Sequence, residues 1–74
     1  MTAVVKGLLD ERGLSQRELA RRMGLSVSRV TERMRGEARW TLDDTFAVAD
    51  ALGIDPTALT DKVARHAQNL GTRG

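Results

Sequence analysis

Gly13-Leu14-Ser15-Gln16-Arg17-Glu18-Leu19-Ala20-Arg21-Arg22-Met23-Gly24-Leu25-Ser26 contains the tripeptide Gly-Leu-Ser twice. Each copy stops one helix and starts the next. Glycine takes the left-handed conformation that ends a helix, and serine accepts a hydrogen bond from the exposed amides of the following first turn. Glu18 lies three residues after Ser15, in the register of a capping box, where its side chain is expected to reach back to the cap. Leu14 and Leu19 stand at the two staple positions around that cap, and Leu25 and Val30 repeat the arrangement around Ser26. Leu19, Ala20 and Met23 share one face of the intervening helix.

Only Gly24-Leu25-Ser26 separates helix two from helix three, which is the spacing of a helix-turn-helix. Working outward, Val5, Leu8 and Leu9 give an apolar stripe to helix one over Thr2 to Arg12, which Gly13 ends. Helix three runs from the Ser26 cap to Arg35 and stops at Gly36, with Val30 and Met34 inward. Thr41 with Asp44 predicts a capping box opening helix four, whose Leu42, Phe46, Ala49 and Leu52 are expected to line its buried side. Gly53 closes it, and Asp55-Pro56 opens helix five as cap and first-turn proline, with Leu59, Val63 and Leu70 inward. Strand signals are missing. The fold class is therefore all-α, with five helices in one domain over residues 1–70 and a frayed tail over 71–74.

A chain of 74 residues leaves little area for a cleft with its own supporting shell. No cysteine and one histidine, His66, exclude Cys-based and His-rich metal sites, and no metal or other cofactor is expected. His66 is expected to be exposed near a helix C-terminus. No nucleophile–base–orienter set, phosphate loop or metal spacing points to catalysis, so no catalytic residue is assigned. No apolar run approaches the roughly 18 residues of a membrane span, and the lack of cysteine fits a reducing cytoplasm. The net charge of +2 decides little, but its distribution is uneven. Arg21, Arg22, Arg29, Arg33, Arg35 and Arg39 crowd the middle against Glu32 and Glu37, whereas acids outnumber bases from Thr41 onward. A basic middle suggests a local anion-binding face.

Gly13 to Leu59 resembles the helix-turn-helix of phage Cro and repressor proteins, the XRE-type family. The resemblance is carried by Gly13-Leu14-Ser15-Gln16-Arg17-Glu18-Leu19-Ala20, Met23-Gly24-Leu25-Ser26, Val30, Arg35-Gly36-Glu37 and Ala49-Asp50-Ala51-Leu52-Gly53-Ile54. It implies a compact lambda-repressor-like domain that lays helix three in the major groove of double-stranded DNA. By position, Val27, Ser28, Arg29, Thr31 and Glu32 would then read bases. Ser28 bonds several bases, Glu32 accepts from a cytosine amine, Val27 packs on a thymine methyl, and Arg29 reaches a guanine or a phosphate. Gln16, Arg17, Arg35, Arg39 and Trp40 would meet the DNA backbone, Gln16 helped by the amides of the helix-two N-terminus. The rival reading of Trp40 is a packing anchor between helices, and that of Arg21 and Arg22 a solvated face.

One departure stands out. Most members of the family it resembles carry an apolar residue at position 33 and a polar one at 34, and here these are Arg33 and Met34. Met34, four residues after Val30, supplies the core contact. The exchange bears on how helix three is rolled and on which of Thr31, Glu32 and Arg35 faces the bases. The resemblance implies a transcriptional regulator, expected as a homodimer on a palindromic operator with Leu59, Val63 and Leu70 as contact candidates. Other functions on the same fold are an antitoxin-like module with a protein partner, or an accessory factor in DNA recombination.

Overall fold

A computed structural model describes residues 1–71 of the protein, with side chains through residue 67. It contains α1 (Thr2–Arg12), α2 (Gln16–Met23), α3 (Val27–Met34), α4 (Leu42–Leu52) and α5 (Pro56–Gly71), and no strand among the described residues. The Leu70 side chain and residues 72–74, most of the expected tail, lie outside the described residues.

One three-residue connector is used three times. At Gly24 the backbone is left-handed (φ 73°), its N–H donates to Arg21 O at 3.2 Å, and the Leu25 N–H donates to Ala20 O at 2.9 Å. These two bonds satisfy the last carbonyls of α2 in a Schellman arrangement. Leu14 N–H bonds Leu9 O, and Ile54 N–H bonds Ala49 O, each at 2.9 Å, in the same way. In each case the apolar residue after glycine packs against the core, and the next residue caps the following helix. Ser15 Oγ accepts from Glu18 N, Ser26 Oγ from Arg29 N, and Asp55 Oδ1 from Thr57 N, at 3.1, 3.2 and 2.8 Å. The repeated Gly-apolar-cap pattern is thus a joint whose short length turns each helix sharply against its predecessor.

The core consists of Val5, Leu8, Leu9, Leu19, Ala20, Val30, Val48, Ala49, Leu52 and Leu59. α2 packs on α3 and α4, α4 on α5, and α1 on both α3 and α5. Leu14, Met23, Leu25, Met34, Trp40, Ile54 and Val63 close its margin.

Three sequence expectations are corrected here. Leu42 and Phe46 do not line the buried side of α4. They are 71% and 51% exposed, and Val48 is fully buried in their place. α4 carries apolar residues on more than one face, so spacing alone does not choose the inner one. The inner side carries Asp44, Val48, Ala49 and Leu52, so the expected Ala49 and Leu52 are buried. Second, Glu18 does not reach back to the cap. Its carboxylate is taken by two guanidiniums one turn away, Arg21 Nε at 3.0 Å and Arg22 Nε at 3.1 Å, which are stronger partners than one amide. Third, α5 continues to Gly71, so His66 sits within the helix, where it is half-buried and lines an open groove shared with α1.

Candidate nucleic-acid interface

Each residue of a helix turns by about 100°, and on α3 this sorts the side chains around the buried Val30. Met34 lies on the inner side and is half-buried. Arg33 and Thr31 take the two flanks, and both are half-buried. Ser28, Glu32 and Arg35 point outward, with Arg29 beside them, and all four are exposed. Val27 opens the helix at 40% exposure. The exchange at 33 and 34 therefore leaves Glu32 and Arg35 outermost and Thr31 at the edge.

Thr31 is also the point where α3 meets the start of α2. Its Oγ1 donates to Gln16 Oε1 across 3.4 Å. Gln16, Thr31 and Arg35 line one cleft together with Lys6 of α1. Lys6 adds a cation to this side, and nothing in the spacing of helix one marks it out.

The arginines fall into two groups. Arg21 and Arg22 close on Glu18, Arg33 on Asp44, Arg12 on Glu11 and Arg65 on Asp61. The bonds from Arg21 and then Arg22 lower the Glu18 carboxyl to about 2, against its ordinary 4.5. Arg22 Nη1 also donates to Ala51 O at 3.2 Å. Arg21 and Arg22 are thus occupied on the α2 surface and over α4. Arg17, Arg29, Arg35 and Arg39 are exposed and have no carboxylate partner among the described residues. These four lie at the start of α2, on the outer side of α3, at its end, and in the loop after it. That loop folds back onto the helix: the N–H groups of Glu37 and Ala38 both donate to Glu32 O, at 2.8 and 3.3 Å. Arg39 is thereby held next to the C-terminus of α3.

Trp40 is half-buried and packs against the core. Its Nε1–H donates to Thr2 Oγ1 at 2.9 Å, so a phosphate contact from the indole would have to displace this bond. Thr2 Oγ1 in turn donates to Arg33 O at 3.1 Å. Arg33 Nε donates to Asp44 Oδ2 at 2.7 Å and Nη1 to Arg29 O at 3.0 Å. The same Asp44 oxygen accepts from Thr41 N at 2.8 Å, while Thr41 Oγ1 accepts from Asp44 N at 3.0 Å. This is the capping box of α4 read from the sequence. Its tie to Arg33 is not legible there. Its one signal is an arginine three residues after a core valine, a position that calls for a carboxylate.

Taken together, the exposed side of α3 offers a hydroxyl, a carboxylate and two guanidiniums. Exposed cations and the amides of the α2 N-terminus border it. That arrangement suits an extended polyanion with readable polar edges. Compared with known protein families, residues 5–59 match the family described as "Helix-turn-helix". No curated protein and no solved structure matches the chain.

Proposed function

Because the chain belongs to the XRE-type helix-turn-helix family of DNA-binding regulators, we propose that it recognises a specific duplex sequence by laying α3 in the major groove. The observation that carries this reading is the grouping of Arg17, Arg29, Arg35 and Arg39, without a carboxylate partner among the described residues, around the outward Ser28 and Glu32. In this reading Val27, Ser28, Arg29, Thr31 and Glu32 meet base edges. Gln16, Arg17, Arg35 and Arg39 hold phosphates, and Trp40 supports the loop that carries Arg39. The family resemblance supports regulation of the phage or prophage repressor or Cro type, in a prokaryotic cytoplasm. Among the described residues no helix is long and apolar enough to cross a membrane.

Two substitutions separate the roles. Glu32→Ala is expected to weaken binding to the preferred duplex by roughly 1–3 kcal/mol while leaving random duplex nearly unaffected. Arg39→Ala is expected to weaken both equally and to reduce the salt dependence by about one phosphate contact. Fluorescence-anisotropy titrations over a salt series check both. Equal losses on the two duplexes in Glu32→Ala would remove that residue from base reading.

A homodimer on a palindromic operator places two α3 helices in half-sites about 34 Å apart. Leu59 is fully buried and is spent in the core, and Val63 is half-buried at its margin. The exposed Leu42 and Phe46 are the better contact residues. Phe46 forms one wall of a groove with Pro56, Thr57, Thr60, Asp61 and Ala64. Leu42 borders a hollow with Met1, Trp40, Thr45 and Val63. Apolar knobs beside hollows on one surface suit a two-fold contact with a second copy. Association is expected on DNA, where adjacent half-sites raise the effective concentration. Phe46→Asp is expected to abolish cooperative binding to a two-half-site duplex and to spare binding to one half-site. Unchanged cooperativity in that variant would exclude this surface. It would equally take a foreign partner on the antitoxin reading, which copurification of a second protein would favour.

A further inference from the structure

α3 has eight residues, too few to hold its conformation or direction alone. Val30 is its one fully buried side chain, with Met34 half-buried behind it. A helix pinned along so narrow a stripe can roll about it. Ser28 and Glu32 stand on the opposite side. At a radius of about 5–6 Å, a roll of about 20° moves a side-chain tip by about 2 Å, which breaks a hydrogen bond to a base edge.

The roll is opposed on one flank by Arg33. Its guanidinium makes two bonds in different directions, to Asp44 Oδ2 at 2.7 Å and to Arg29 O at 3.0 Å. Its carbonyl accepts from Thr2 Oγ1, which accepts from the Trp40 indole. The end of α3 is thus tied to the N-cap of α4, to the first turn of α1 and to the loop holding Arg39. An apolar residue packed at this position would stabilise as well as the ion pair, but it would not impose the direction that a planar fork imposes. We propose that Arg33 is a positioning residue for sequence reading: its pair with Asp44, backed by the Trp40–Thr2 link, sets the roll of α3 and the aim of Ser28 and Glu32 without touching DNA. This rests on the reading that α3 meets base edges.

The test uses the full chain, the duplex it selects from a random library, and an unselected duplex. If the wild type enriches no sequence, the base-reading premise itself fails before any variant is compared. In the double variant R33M/D44N the pair is gone and no buried charge is stranded, while the side-chain amide oxygen introduced at position 44 still accepts from Thr41 N. Net charge is unchanged, so affinity for the unselected duplex is expected to stay within about twofold. The ratio of selected to unselected affinity is expected to fall about tenfold or more, as when a base contact is lost. R33K keeps the charge at Asp44 but loses the second bond, and is expected to fall between the two. A merely structural role would lower melting temperature while leaving that ratio unchanged in the folded protein, and this result overturns the proposal. If the double variant is not helical at the assay temperature, R33K decides alone: a lowered ratio at constant unselected affinity supports positioning, and an unchanged ratio overturns it.

Discussion

Val48→Asp is expected to abolish the folded state, whereas Phe46→Asp on the same helix leaves it intact. Val48 is fully buried among the core residues. A carboxylate there removes an apolar contribution of about 1.5–3 kcal/mol and adds the cost of an unpaired buried charge, several kcal/mol more. At about 0.05–0.15 kcal/mol per residue, a chain of 74 residues has roughly 4–11 kcal/mol in total. The loss is of the same size. Phe46 is 51% exposed, so Phe46→Asp is expected to cost about 1 kcal/mol. Urea unfolding followed by helical circular dichroism checks the pair. A larger loss at Phe46 than at Val48 would mean that α4 presents the Leu42–Phe46 side to the core.

The second large effect is expected at Asp44. Its carboxylate joins two structures that are separate in sequence, the cap of α4 and the flank of α3. Asp44→Ala leaves the Arg33 side chain, only 15% exposed, without its carboxylate, and the expected cost is about 3–5 kcal/mol. Asp44→Asn keeps an acceptor for Thr41 N and is expected to cost less. The pH dependence follows from the same contacts. Burial pushes the Asp44 carboxyl up, but the bonds from Arg33 and from the Thr41 backbone and side chain outweigh it and hold it below its ordinary 3.8. A depressed carboxyl contributes stability that is complete above the unfolded value and disappears as pH falls through the folded one. The wild type is therefore expected to lose stability as pH falls below 3.8, and Asp44→Asn to lack that part of the loss. Glu18 acts in the same sense between its ordinary 4.5 and about 2. It is solvent-facing and screened, so salt is expected to weaken its share.

Helix boundaries were legible because they rest on local chemistry. Gly13, Gly24 and Gly53 occupy left-handed positions, and Ser15, Ser26, Thr41 and Asp55 accept the amide bonds expected of caps. These signals involve residues two to five apart, and the three-residue α2–α3 joint follows from them. The roll of α4 was not legible. Leu42, Phe46, Val48 and Leu52 offer more than one apolar stripe, and a contact distant in sequence selects between them. Arg33 illustrates the same limit. Its exchange with Met34 is visible in the sequence, but its partner is eleven residues away, at a position that capping already accounts for. The candidate DNA-facing side was legible in outline, since Ser28, Arg29, Glu32 and Arg35 are all exposed. Which arginines are left without a carboxylate depends on the packing. Arg21 and Arg22 belong to the same basic stretch but are held by Glu18.

The most direct test of the central claim is selection from a random duplex library with the wild-type chain, followed by affinity measurement on the recovered sequence and on an unselected duplex over a salt series. The account predicts one enriched motif, bound about a thousandfold or more tighter than the unselected duplex. It also predicts a logarithmic affinity that falls linearly with the logarithm of salt concentration for both. Recovery of no motif, with equal affinity for every duplex, would contradict sequence reading by α3.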